Sequence, residues 1–198
     1  GIFYTPDAHW RTNMHQGWPK FVQNLWYATS DKGLAALVYG PSSVTAKVGS
    51  GGVVTFEEKT DYPFSERIEF LCKTKTAEKF PLHLRIPEWC KLANIKINNQ
   101  ETRHFKGGEV AVLDRVWHEG DVVVLELPME IRLSRWYENS VGIERGPLVY
   151  ALRIEEVRTE KTAPDRDDTY WEVRPSSPWN YGITSSCIDS MKFEVEVE

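Results

Sequence analysis

Phe80-Pro81-Leu82-His83-Leu84-Arg85-Ile86 sets an apolar side chain at every second position, with a proline, an imidazole and a guanidinium between them. Successive side chains of a strand point to opposite faces, so this stretch reads as a strand with one face in a core and one toward water. The same period recurs in Met129-Glu130-Ile131-Arg132-Leu133-Ser134 and in Lys192-Phe193-Glu194-Val195-Glu196-Val197. Further strands are predicted over Leu34–Tyr39, Val44–Val48, Val53–Glu58, Glu66–Lys73, Ile95–Ile97, Val110–Leu113, Val122–Leu127 and Leu148–Ile154. Between them stand Gly49-Ser50-Gly51-Gly52, Asn98-Asn99, Lys106-Gly107-Gly108 and Glu119-Gly120-Asp121, residue types that favour reversals. Many short strands without interleaved helices predict a mainly β chain, an antiparallel and jelly-roll-like β-sandwich. The charged, Pro164-containing segment Thr159–Asp168 reads as an exposed loop.

The first thirty or so residues follow another rhythm. Phe21/Leu25 and Val22/Trp26 are spaced i,i+4, the spacing of a helix face, and Pro19 fits near a helical start. A lone helix followed by strands has no helical partner in this chain for its apolar face.

Composition narrows the function classes. With 198 residues the chain is long enough to bury a core without disulfide or metal staples. A formal net charge of −5 and no basic run argue against nucleic acid. No stretch approaches the roughly 20 apolar residues that span a bilayer, so no membrane is expected, and no charged-then-apolar leader opens the chain. Cys72, Cys90 and Cys187 show no CxxC spacing, and Cys72 falls in a strand pattern beside Ile68 and Phe70, which predicts a buried thiol.

The familiar catalytic patterns are missing. His9, His15, His83, His104 and His118 form no HxH or HExxH, and no metal site is expected. Neither GxSxG nor GxxxxGK[ST] is present. Carboxylates are abundant, but glycoside hydrolysis needs a pair about 5 to 10 Å apart, a separation no linear pattern supplies. Trp10, Trp18, Trp26, Trp136, Trp171 and Trp179 lie in irregular stretches where a ring either packs or stacks on a sugar, whereas Trp89 and Trp117 are expected to cap the core.

Four stretches together carry a resemblance. They are Asn13-Met14-His15-Gln16-Gly17-Trp18-Pro19-Lys20-Phe21, Leu84-Arg85-Ile86-Pro87-Glu88-Trp89, Trp117-His118-Glu119-Gly120-Asp121 running on to Leu127-Pro128-Met129, and Glu144-Arg145-Gly146-Pro147-Leu148-Val149-Tyr150. Their order and spacing resemble the C-terminal half of the β-L-arabinofuranosidase family, glycoside hydrolase family 127 and its relatives. Ser177-Pro178-Trp179-Asn180-Tyr181-Gly182 is similar to a stretch in one branch of those relatives. The resemblance implies a helical (α/α)6 barrel followed by β-sandwich material. Residues 1–32 would then be the last part of that barrel and residues 33–198 a C-terminal β-sandwich domain.

The family's chemistry, as the resemblance implies it, uses a cysteine nucleophile near zinc with further cysteine and glutamate ligands and a glutamate acid/base. Its paired cysteines come shortly before the Asn-Met-His-Gln-Gly-Trp-Pro stretch, where this chain reads Asp7-Ala8-His9-Trp10-Arg11-Thr12. No catalytic residue is therefore carried over, and zinc is implied only for the family's catalytic domain. His15, Gln16 and Trp18 match the family stretch beside its active site and are expected to line a substrate pocket in an intact parent protein. The expected partners are the catalytic barrel and a plant-type glycan, and the parent's location stays open between periplasm and exterior. The expected function is a non-catalytic accessory domain. A free-standing carbohydrate-binding module and a small hydrolase with its own carboxylate pair are the rivals.

Overall fold

The computed structural model describes residues 17–100, 102–162, 169–182 and 195–196. The chain divides after Met129 into two compact units, 1–129 and 130–198. Among the described residues strands dominate, in four sheets, with one short α-helix, as an antiparallel β-sandwich requires.

In the first unit α1 (Gly17–Gln23) precedes β1 (Trp26–Ala28), β2 (Leu34–Ala36), β3 (Ser42–Val48), β4 (Gly52–Thr60), β5 (Arg67–Thr74), β6 (Glu78–Arg85), β7 (Leu92–Ile97), β8 (Arg103–Lys106), β9 (Val110–Trp117) and β10 (Val122–Glu126). One sheet runs β1-β2-β6-β9 and the other β3-β4-β5-β10-β7-β8. Pairing is antiparallel except that β2 lies parallel to β6, with Leu34 beside Leu82 and Ala36 beside Leu84.

The period-two pattern decides what is buried. On β6, Phe80, Leu82 and Leu84 are buried while Lys79 and Arg85 are exposed. Val54 and Phe56 of β4, Ile68, Phe70 and Cys72 of β5, and Val123 and Leu125 of β10 meet them from the other sheet in one core. Its centre is aromatic: Phe56 lies edge-on to Trp117 at 5.4 Å and to Phe80 at 6.2 Å, separations at which ring pairs add to burial energy. The Trp117 indole N–H donates to the carbonyl of Phe80 at 2.9 Å, so the ring is buried without an orphaned donor.

Glu78 ties the two sheets together. It sits at the start of β6, and the backbone N–H of Ser50 in the β3–β4 turn donates to its Oε1 at 2.6 Å, the Ser50 hydroxyl at 2.7 Å. Gly49 enters this turn at φ +54°, and a Cβ there would lie 2.4 Å from the carbonyl oxygen of Lys79. Only glycine lets the turn close on β6. In Trp117-His118-Glu119-Gly120-Asp121, Asp121 accepts from the His118 N–H at 2.9 Å and from Asn98 Nδ2 at 2.6 Å, fastening the crossing from β9 in one sheet to β10 in the other.

The second unit has β11 (Ile131–Arg135), β12 (Val141–Arg145) and β13 (Leu148–Tyr150) in one antiparallel sheet, and β14 (Glu156–Thr162) with β15 (Thr169–Pro175) as a hairpin. Here the expectations need correction. Thr159–Thr162 belongs to strand β14, where hydrogen bonding to β15 overrides a charged composition. The segments 148–154 and 34–39 are strands only over Leu148–Tyr150 and Leu34–Ala36. Strands β1, β8, β12 and β15 had no expectation, because each is short or lacks clean alternation. The strand expected around Phe193 lies almost entirely outside the described residues.

Candidate functional site

Helix α1 contains residues 17–21, the end of the stretch 13–21 from which a substrate pocket is expected. It has no buried residue. Trp18 is 67% exposed, packs edge-on against Phe21 at 6.1 Å, and Phe21 and Val22 also face solvent. The helix ends at Gln23, so Leu25 and Trp26 are not on its face as the i,i+4 spacing predicts. Leu25 is buried and receives the Leu37 N–H at its carbonyl. Trp26 opens β1, stacks on Phe56 and donates from its indole N–H to Ser42 Oγ at 3.0 Å. The tertiary pull of the core ends the helix and converts a candidate sugar platform into a packing residue. Of the three expected pocket residues only Trp18 is described, and His15 and Gln16 lie outside the described residues, as does His9.

Trp26 leads to the most unusual carboxylate of the first unit. Glu58 is the third inward-facing residue of β4, after Val54 and Phe56, and only 3% exposed. The Gly40 N–H donates to its Oε1 at 2.9 Å and the Ser42 hydroxyl to its Oε2 at 3.1 Å. Burial pushes its pKa up to about 7, against the opposing pull of those two donors. Tyr39, buried beside it, donates its hydroxyl to the Arg85 carbonyl at 2.6 Å. Each polar atom of this cluster is answered by a neighbour inside the fold, and among the described residues no buried side-chain nitrogen or oxygen lacks a partner.

The other buried carboxylates are equally committed. Glu78 holds the β3–β4 turn, and Asp121 holds the β9–β10 crossing with Arg115 at 3.3 Å. Burial pushes Asp121 up, but the Asn98 amide, the His118 N–H and Arg115 outweigh it and hold the carboxyl below its usual range.

The zinc and cysteine chemistry of the resembled family can be tested against the thiols present. Cys72 and Cys90 are free and fully buried, and burial pushes Cys72 up to about 12. Both are neutral packing groups at neutral pH, whereas a nucleophile or zinc ligand must be a thiolate. Among the described residues no three His, Cys, Asp or Glu side chains stand together as ligands. His83 instead faces Asp31 at 2.9 Å, and His104 faces Asn94 at 2.8 Å. The described residues do not fit the metal.

Aromatic exposure divides the tryptophans. Trp117 is buried and Trp89 packs against the core, as expected. Trp18, Trp136, Trp171 and Trp179 are exposed. Trp136 stands out because its indole N–H is fixed, donating to Ser134 Oγ at 2.8 Å.

The fold and these side chains define a β-sandwich whose polar interior serves its own architecture. Residues 33–129 match the family described as beta-L-arabinofuranosidase, GH127 middle domain. The match is to a middle domain, where the resemblance in the sequence pointed to the family's C-terminal half. No curated protein matches the chain. Among solved structures, a GH127 β-L-arabinofuranosidase from Geobacillus stearothermophilus T6 is similar, at 24% identity and TM-score 0.65, over 91% of this chain and 33% of that one. A structure described as a glycoside hydrolase is similar at 24% identity and TM-score 0.57, over 79% and 31%. Another GH127 β-arabinofuranosidase gives 19% and 0.53, over 73% and 28%. At these identities the likeness concerns the fold, and the chain spans about a third of the length of these structures.

Proposed function

We propose that this chain is a non-catalytic accessory β-domain of a glycoside hydrolase related to the β-L-arabinofuranosidases, packing on a helical catalytic barrel and supporting the wall of its substrate cleft. The match of residues 33–129 to the middle domain of that family carries the reading. The exposed Trp18, Phe21 and Val22 on α1 support it, since a helical barrel is the kind of surface such a face fits. Residues 1–32 are then the barrel's last part, with His15, Gln16 and Trp18 beside its pocket. Zinc and the nucleophile belong to the barrel, and the glycan is of plant type.

The test is turnover of an aryl β-L-arabinofuranoside by this chain, with and without added zinc. The expected result is no hydrolysis above buffer in either case, and zinc-dependent turnover overturns the non-catalytic reading. The coding sequence upstream of Gly1 tests the partner: several hundred residues of helical pattern support the barrel, and their absence removes it.

A free-standing carbohydrate-binding module is the second reading. The exposed Trp136, Trp171 and Trp179 favour it, because rings outside any core are available to a ligand.

A further inference from the structure

We propose that one face of the β11-β12-β13 sheet, built from Arg132, Ser134, Trp136, Gly142 and Glu144, is a binding site for a neutral saccharide. The register places these residues together: Arg132 pairs with Glu144 and Ser134 with Gly142. The opposite face carries Ile131, Leu133, Val141 and Ile143 together with Arg135 and Arg145, while Val149, the partner of Glu144, adds one exposed apolar side chain to the proposed face. Most of the apolar side chains of this sheet therefore lie on the other face. Trp136 belongs to the polar face and is 67% exposed there. Its ring stands beside Arg132, Ser134 and Glu144, with Val149 on the same face.

The ring is held in place. Its N–H donates to Ser134 Oγ at 2.8 Å, that hydroxyl donates to Glu144 Oε1 at 2.6 Å, and Arg132 meets Glu144 Oε2 at 2.5 Å. Gly142 makes room for this chain of contacts, since a Cβ there would come within 2.8 Å of Ser134 Oγ and 3.4 Å of Trp136 Nε1. A platform fixed before the ligand arrives loses little conformational entropy on binding.

The chemistry selects the ligand class. The electron-rich face of an indole attracts the polarised C–H patch on one side of a sugar ring. Beside it, the Arg132 guanidinium offers N–H donors and the Glu144 carboxylate offers acceptors, a matched pair for hydroxyls at the ring's edge. The Ser134 hydrogen bond and then Arg132 hold Glu144 ionised, as an acceptor only. Because Arg132 and Glu144 offset each other, the face presents no net charge for a uronate, which would have to compete with Glu144 for the guanidinium.

Calorimetric titration of the full chain tests this with a neutral arabino-oligosaccharide, a neutral xylo-oligosaccharide and an oligogalacturonate. Saturable binding of at least one neutral probe is expected, with the oligogalacturonate bound about tenfold more weakly or not at all. Trp136→Ala should weaken the neutral probe about tenfold, the loss of one ring contact and its anchored hydrogen bond, and Trp171→Ala should leave it unchanged. Arg132→Gln, which leaves the ring in place, should also weaken it, covering the case in which Trp136→Ala disturbs the sheet by circular dichroism. No saturable binding of any neutral probe overturns the site. So does an affinity indifferent to both substitutions, preferential binding of the oligogalacturonate, or a dimer in sedimentation that Trp136→Ala dissolves. The site does not depend on the accessory role: absence of saccharide binding sinks the site alone, whereas aryl-arabinofuranoside turnover sinks the accessory role alone.

Discussion

Glu58 has an ordinary carboxyl in the unfolded chain and one raised from 4.5 to about 7 in the fold, mainly through burial. The folded form therefore retains a proton that the unfolded chain has released between those values, and stability falls as pH rises through that window. The loss is on the order of 3 kcal/mol by pH 8. Glu58→Gln should remove most of this slope, with urea midpoints at about pH 5 and 8 converging; a variant as pH-dependent as the parent chain refutes the assignment. Gly49 gives a second test at this scale. Ala at Gly49 meets the Lys79 carbonyl 2.4 Å away, whereas Ala at Gly120, also at positive φ, meets nothing within 4 Å. Gly120→Ala should cost about 1 kcal/mol for left-handed backbone alone, and Gly49→Ala on the order of 3 kcal/mol with the clash added. Equal denaturation midpoints for the two variants would count against the turn's tight closure on β6.

Helix α1 shows how an element is limited by what surrounds it. Its spacing was legible in Phe21, Val22, Leu25 and Trp26, but the second member of each pair left the helix for the core, because burial of Leu25 and Trp26 outweighs one further helical turn. Trp18→Ser and Phe21→Ser in this chain should change stability by less than about 0.5 kcal/mol, because both rings are exposed. Leu25→Ala, which empties a buried site, should cost about 2 to 4 kcal/mol. Thermal melts of the three variants separate them, and a large loss at Trp18 would mean that the helix has a covered face after all. At the same scale, β6 and β9 were readable from alternation, whereas β12 was not: Val141-Gly142-Ile143-Glu144-Arg145 includes a glycine, and all five residues are half-buried with no alternation between faces.

Across the whole molecule, all the buried hydrophobic residues of the described chain fall between Leu25 and Met129. In 130–198 only Gly146 is buried among the described residues. The second unit thus has little apolar burial to set against the entropy of ordering its strands. Hydrogen exchange should find amides of β14 and β15 exchanging orders of magnitude faster than those of β5 and β10. Comparable protection in both units would show that the hairpin is covered in solution. The division after Met129 has no punctuation in the sequence beyond Pro128, and the end of the middle-domain match at the same residue gives it a second support.

What the linear chain settled by itself was the strand period, the reversals and the buried Cys72, together with a resemblance whose strings at 84–89 and 117–129 fall inside the matched middle domain; all of these depend on near neighbours or on residue identity. Only the tertiary structure decided that Glu58, Glu78 and Asp121 are internal fasteners, that Trp26 packs while Trp136 lies open, and that Arg132 and Glu144 share a face. The physical reason is distance: an inward-facing carboxylate and a solvated one look alike in an alternating strand, and what separates them is the set of donors that another strand, remote in sequence, brings within hydrogen-bonding reach.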